Sequence, residues 1–403
     1  MLDLRNDFPI LRGTDVVYLD SAATAQRPAC VIEAERAFND THNANPLRGL
    51  YAWSMEATDA YEHARQTVAD FVGAKQAEEI VFTRNTTEGL NLIAYTWAMA
   101  NLKPGDEVLV TVMEHHSNLL PWQLACERTG ATLRFLECTR DGIFPEEAMR
   151  AAVNEHTRLV CMGHVSNVYG RVNPVERMAE LAHSVGALMV CDAAQSAPHI
   201  PLDVQKLGVD FLVFSGHKLC GPMGIGALWA RLELLEAMPP FLRGGEMIEY
   251  VTREHATWAE VPHKFEAGTV NAAGAVGLEA AIHYLQAAGL DAVEAHVNAL
   301  TDRALKAMRA MPHIHVIGSD RAEEHSGILT FTVDDVHPHD IAAILDSDKV
   351  CIRAGHHCAQ PLMKHLGVGS TARASIYLYN NTEDVDRFLD SLSSLRSRMG
   401  YGE

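Results

Sequence analysis

The chain is poor in positive charge. Its 33 lysines and arginines stand against 52 acids, a formal net charge of −19. No Lys/Arg-rich run interrupts this balance, which argues against a nucleic-acid or anionic-membrane surface, since either needs a basic stripe. No stretch of 18 or more apolar residues occurs, so no membrane-spanning helix is expected. The opening "MLDLRNDFPI" mixes acids and bases without an apolar segment and does not read as a signal peptide. Eight cysteines, at 30, 126, 138, 161, 191, 220, 351 and 358, form no CxxC pair and follow no regular spacing. They read as the reduced thiols of a cytoplasmic protein, not as a disulfide framework. Repeats and low-complexity segments are absent too.

What is present is an ordinary globular composition. The 403 residues, 48% hydrophobic and 21% charged, can bury a large core and suggest two or three lobes. From residue 80, short β-branched runs alternate with helical patterns. Strands are expected at 79–83, 106–112, 131–137, 158–166, 187–193, 210–215 and 226–230, with helices such as 87–100 and 174–186 between them. Runs such as "ALMVCDA" are apolar throughout, as in a parallel sheet covered on both faces. After about 275 the pattern turns to longer helices and shorter strands, near 313–317, 327–333 and 349–353, ending in a helix at about 383–398. An α/β domain followed by a smaller α+β domain is expected.

Ligands of open α/β sheets gather beyond the C-terminal strand ends. Five of the first six expected strands place chemically competent groups there. Thr86 and Thr87 open a helix after the first, offering free N–H groups and hydroxyls to an anion. His115 follows the second, Asn167 the fourth, Asp192 and Gln195 the fifth, and Ser215, His217 and Lys218 the sixth. Each alone has a duller reading as a cap, a turn or a surface charge. Together they supply an amine, an anion cradle, a ring-stacking partner and an acid. Pyridoxal 5′-phosphate needs all four: a lysine for its aldehyde and a carboxylate to keep its ring nitrogen protonated.

The segments "TTEGLN", "MEHHSNLLPW", "HVSNVYG", "DAAQ", "SGHKLCGPMGIG", "EAGT" and "RAGHHCAQPLM", in this order, resemble the SufS/CsdA-type (group II) cysteine desulfurases of the class V aminotransferase family. The resemblance runs from about 17 to 380. It implies the fold type I architecture of pyridoxal-phosphate enzymes, with a large domain built on a mainly parallel seven-stranded sheet and a smaller α+β domain. The segments would be 1–20, packing with the small domain, 21–280 holding the cofactor, and 281–403 carrying a nucleophilic cysteine loop. It implies a homodimer, and conversion of L-cysteine to L-alanine with the sulfur left on Cys358 as a persulfide. A SufE-like or SufU-like acceptor would then carry the sulfur toward iron–sulfur cluster assembly or a related pathway.

By the same resemblance, Lys218 forms the Schiff base and moves protons, and Asp192 pairs with the ring nitrogen. Gln195 bonds the phenolic oxygen, and His115 stacks on the ring. Thr86, Thr87, Ser215 and His217 hold the phosphate, while Thr269 reaches that of the partner subunit. Asn167 sits close to the substrate and the phenolic oxygen, Arg353 contacts substrate, and Arg373 clamps its carboxylate with the planar fork of arginine. Arg353, His356 and His357 are expected to supply positive charge to the Cys358 thiolate. The chain departs from the family pattern at Leu47 and Tyr51, in place of histidines, and at Val270, in place of proline. Two rival readings stand beside this one. One is a selenocysteine lyase; the other is a non-catalytic metal or iron–sulfur protein using Cys351, His356, His357 and Cys358.

Overall fold

A computed structural model of the chain describes residues 2–401. Strand β1 is Val17–Tyr18, and the strands that follow build the large sheet: β2 Ile80–Thr83, β3 Glu107–Thr111, β4 Thr132–Leu136, β5 Thr157–Gly163, β6 Leu188–Asp192, β7 Phe211–Ser215 and β8 Gly226–Ala230. Their order is β2-β8-β7-β6-β5-β3-β4, with only β8 antiparallel to its neighbours. Every strand expected between 79 and 230 is present.

The reason these strands read as unbroken apolar runs is visible in their packing. Val108, Val110, Leu159, Cys161, Val190, Phe211 and Val213 enter an apolar cluster with the helices Thr86–Ile93 and Leu120–Thr129 on one face. Leu109, Val160, Met162, Cys191, Leu212 and Phe214 enter the cluster on the other, with Ala29–Thr41, Ala52–Val72, Val175–Ser184 and Ala272–Ala288. Alternate residues thus point to opposite, equally dry faces. Cys161 and Cys191 are fully buried members of these clusters and behave as small hydrophobes.

Beyond the hairpin of β9 (Ile248–Val251) and β10 (Ala256–Trp258), the chain forms β11 Ile314–Val316, β12 Ile328–Val333, β13 Val350–Cys351, β14 Arg353–Gly355 and β15 Thr371–Ser375. Four of these make an antiparallel sheet in the order β11-β12-β15-β14, and β13 pairs with β1. The helices Leu290–Ala310 and Thr382–Arg398 bury Leu300, Leu305, Val385 and Leu392 in a third cluster, which Val17 and Leu19 also enter. The central strand β15 has no counterpart in the sequence reading. Its residues "TARAS" carry one β-branched side chain and a central arginine, so nothing marks them as a strand although all five are buried.

One buried ion pair ties the large sheet to the segment carrying Thr269. Arg65, from Ala52–Val72, donates to both oxygens of Glu266 at 2.7 and 2.8 Å. Glu266 also accepts from the Phe82 amide at 2.7 Å and from the Tyr61 hydroxyl at 2.8 Å. The side chains of the pair are 1% and 2% exposed, so removing either partner strands a buried charge. Arg65→Ala should lower stability by about 3–5 kcal/mol, read as a loss in the midpoint of urea unfolding. A loss below about 1 kcal/mol would mean that solvent reaches the pair.

Candidate active site

The register of the large sheet brings the ends of four strands level. Gly163 pairs with Asp192, Asp192 with Val213, and Ser215 with Gly226. The segments leaving these ends surround a cavity of about 250 Å³. Of the residues singled out in the sequence, Thr86, Thr87, His115, Asn167, Asp192 and Gln195 line it. So do Ser215, His217, Lys218, Arg353, Cys358 and Arg373. Thr269 does not: it lines a separate cavity with Tyr61, Phe82 and Glu266.

At one end of the cavity lies the start of helix Thr86–Ile93, capped by the Asn85 side chain accepting from Glu88 N. The Thr86 amide donates to Ser215 Oγ at 2.8 Å, and the Thr87 hydroxyl lies 2.7 Å from Ser117 Oγ. This helix start, with the hydroxyls of Thr86, Thr87 and Ser215 beside it, forms an anion cradle. His217 borders it, with Nδ1 3.2 Å from Thr24 Oγ1; burial, then the nearby Lys218, pulls its pKa down to about 4.

Lys218 is the cavity's one lysine. Burial pulls its amine down to about 8, opposed by Asp192 and assisted by Arg373. Burial raises the Asp192 carboxyl, with Lys218 and the Ala194 amide at 2.9 Å opposing. His115 is driven to about 3 by burial and by Lys218. Its Nδ1 accepts from Ser117 N at 3.1 Å, so the neutral ring carries its proton on Nε2. A neutral imidazole is a suitable flat partner for an aromatic ring.

The cavity also contains orphaned polar atoms. Gln195 gives its amide to Ala22 O at 2.8 Å and leaves Oε1 buried without a partner. Arg373 gives Nη1 to Asn167 O at 2.9 Å and Nη2 to Asp20 at 3.3 Å, but its buried Nε is unmatched. These groups fit pyridoxal phosphate with a bound amino acid. The anion cradle, the carboxylate, the neutral imidazole and the depressed amine match the four demands of the cofactor, and Arg373 lines the same cavity with the fork a substrate carboxylate needs.

Two members of the site were not picked out in the sequence. Asp20, which follows "VYL", anchors Arg373. Glu114, between β3 and His115, accepts from the Thr111 hydroxyl and the Asn118 amide, both at 2.5 Å, and from Gly163 N at 2.9 Å. Their only signal was a position at a strand end, shared by many ordinary turn residues.

Cys358 sits on a constrained loop. His357 and Cys358 both have positive φ, 51° and 55°. Each such non-glycine residue costs about 1–2 kcal/mol, and neighbouring contacts hold them there. Asn167 Nδ2 donates to His357 O at 2.7 Å, and His116 N donates to Cys358 O at 2.7 Å. Cys358 N donates to His356 Nδ1 at 3.2 Å, so His356 shapes the loop.

The expectation that His357 contributes positive charge is overturned. Burial, then Arg373 and Arg353, push its pKa to about 3, leaving it neutral. The charges that couple with Cys358 are those of Lys218 and Arg373. The rival metal reading requires Cys351, His356, His357 and Cys358 to converge. Among the described residues no group of three or more His, Cys, Asp or Glu side chains is arranged to hold a metal.

The class-V aminotransferase family model matches residues 17–388. This chain belongs to that family. It is 47% identical to a probable cysteine desulfurase of Halalkalibacterium halodurans over 99% of this chain and 98% of the relative. A probable cysteine desulfurase of Streptomyces coelicolor is 46% identical over 98% and 97%. Among solved structures, the apo cysteine desulfurase of Thermococcus onnurineus superposes with a TM-score of 0.94 at 40% identity, over 98% of both chains. The Escherichia coli cysteine desulfurase CsdA superposes with 0.91 at 38%, again over 98% of both.

The depressed Lys218 amine makes a pH prediction for this family member without cofactor. The folded chain holds this proton only below about 8, against 10.5 for an ordinary lysine. Between these values the unfolded chain binds more protons, so the contribution of Lys218 to stability rises with pH. Wild type should be less stable than Lys218→Met by about 3 kcal/mol below pH 8, and the gap should close toward pH 10.5. Denaturant titrations of both proteins across this range check it; a gap independent of pH would show that the amine is solvated.

Proposed function

We propose that the chain is a pyridoxal-phosphate-dependent cysteine desulfurase that converts L-cysteine to L-alanine and leaves the sulfur on Cys358. The observation carrying this reading is the meeting of Lys218, Asp192 and Cys358 in one cavity, beside two arginines suited to a carboxylate. The full-length likeness to proteins named as cysteine desulfurases supports it.

Thr86, Thr87, Ser215 and His217 would hold the phosphate, Asp192 the ring nitrogen, Gln195 the phenolic oxygen and His115 the ring face. When bound, pyridoxal phosphate supplies an aldehyde for amine condensation and a ring that accepts electrons. Arg353 and Arg373 orient the substrate carboxylate. Lys218, with its amine pulled down to about 8, can take the proton from the substrate Cα and return it. Cys358 attacks the substrate sulfur as a thiolate, the S–S bond forming as the substrate Cβ–S bond breaks and leaves its electron pair with the carbon skeleton that becomes alanine. Asn167 holds both the His357 carbonyl and, through its own carbonyl, Arg373.

We further infer that the chain is divided at about 280, with residues 1–20 packing on the C-terminal part. Val17 and Leu19 share a core with Leu300 and Leu392, as this division requires, while Phe8 and Leu11 join the core of the large sheet. Homodimer formation is favoured by the exposed Leu50, Trp53 and Met55, at 97%, 64% and 57%, around the start of Ala52–Val72. Leu47 and Tyr51 flank the same surface, Leu47 with φ of 79°. The Thr269–Val270 turn could face the partner's phosphate across it. No described helix is long and apolar enough to cross a membrane, and a cytoplasmic enzyme passing sulfur to a SufE-like or SufU-like acceptor for iron–sulfur assembly fits this chemistry.

Incubation with L-cysteine should yield alanine and a 32-dalton sulfur adduct on Cys358, a mass that follows from adding one sulfur atom. Cys358→Ala should retain the visible absorption of the bound cofactor and lose the adduct. Lys218→Ala should lose turnover by at least about a thousandfold. An adduct on another cysteine, or normal alanine release without Lys218, would sink these assignments.

A further inference from the structure

The loop that carries Cys358 is tied to the large sheet by a residue that the reaction itself does not use. His116 opens the short turn His116–Asn118 that follows β3. Its amide donates to Cys358 O at 2.7 Å. Its ring Nε2 accepts from Gln360 N at 3.2 Å, a contact spanning 244 positions of the chain. Gln360 is the first residue of the helix Gln360–Leu366, so its N–H has no acceptor inside that helix. A backbone N–H can only donate, so Nε2 is unprotonated and the neutral ring carries its proton on Nδ1. His356 repeats the demand, taking the Cys358 amide on its own Nδ1 at 3.2 Å. The two rings lie 5.6 Å apart. The amides of Cys358 and Gln360 thus both end on bare imidazole nitrogens.

Such ties break on protonation. An imidazolium has no acceptor nitrogen, so a proton on His116 Nε2 sets two donors against each other, and a charge on His356 repels it further. Burial, then His356, holds the His116 pKa below the ordinary 6.5, which preserves the bond at neutral pH. The acids and bases of the adjoining elements are otherwise engaged. Glu114 accepts from Thr111, Asn118 and Gly163, Glu88 of the helix Thr86–Ile93 is paired with Arg84, and His365 is paired with Glu137. His115, 6.4 Å away on the same turn, is kept neutral by burial and by Lys218, Arg373 and Arg353. We propose that His116 is a positioning residue for sulfur transfer: its amide and its neutral ring together hold the Cys358 thiol at the cavity, and protonation of the ring releases one of these two ties. The positive φ of His357 and Cys358 needs such ties, since an untethered loop relaxes away from that conformation.

This inference rests on the desulfurase reading, whose failure would show separately as no alanine from L-cysteine with the wild-type enzyme. The test uses cofactor-loaded protein and reads two steps. One is the arrival of sulfur on Cys358 in a single turnover of L-cysteine, followed by mass spectrometry. The other is exchange of the Cα proton of L-alanine in heavy water, which calls on Lys218 and not on Cys358. At about pH 8, His116→Leu should slow sulfur arrival about fivefold, the worth of one net hydrogen bond, and leave Cα exchange unchanged. His116→Gln, whose side-chain oxygen reaches about as far as Nε2 and does not titrate, should transfer sulfur at the wild-type rate. As the pH falls from about 8 to about 5, through the range where an imidazole takes its proton, wild type should sink to the leucine variant while the glutamine variant keeps its lead. Ratios between variants at each pH cancel the titration of Cys358 and Lys218, which all share. Should the leucine variant not fold, the glutamine-to-wild-type ratio decides alone and should rise about fivefold over that range. A ratio independent of pH, a glutamine variant as slow as the leucine one, or both steps slowing together would overturn the proposal, because a ring that serves only the fold moves both steps alike and is indifferent to its proton.

Discussion

Holding an amine and a carboxylate in a dry cleft at the same edge of a sheet is the constraint on which the rest of the site depends. Lys218 and Asp192 are each disfavoured as ions by burial, and each relieves the other. The amine is thereby left near neutrality, where it can exchange a proton. Parallel strands are what allow this. Asp192, the last residue of β6, lies beside Val213 of β7, and it and Lys218, just past the end of β7, line the same cavity.

Around this pair the structure keeps several locally unfavourable arrangements. Arg353 and Arg373 are directly opposite on the antiparallel strands β14 and β15. Like charges in that register repel, and the carboxylate of Asp20 offsets only part of the repulsion. An anionic substrate resolves it. The positive φ of His357 and Cys358 is a second such feature, and the unmatched Nδ1 of His357 and Nε of Arg373 are a third. All belong to residues that line the cavity. The phosphate end, by contrast, is well satisfied by Thr86, Ser215 and the helix start.

Much of the fold was readable because its parallel strands are dry on both faces and therefore apolar without interruption. The same rule could not find β15, whose alanines and arginine are buried by contacts with β12 and β14 and not by hydrophobic pattern. Lys218, Asp192 and His115 were legible because each follows a strongly patterned strand. Asp20 and Glu114 follow strands as well, but a lone acid there is indistinguishable from a turn residue until its partner is known.

The sequence by itself determined the chemistry that could assemble: an amine, an acid, an anion cradle and a thiol, in the order of a doubly covered sheet. Tertiary structure decided protonation and direction. "GHHC" offers two histidines of equal standing, and only folding separates them. His356 remains at the surface and accepts from the Cys358 amide, while His357 is driven inside beside two arginines, where burial and their charge keep it neutral. The difference arises from burial and neighbouring charge, which act through space and are set by segments far apart in the chain.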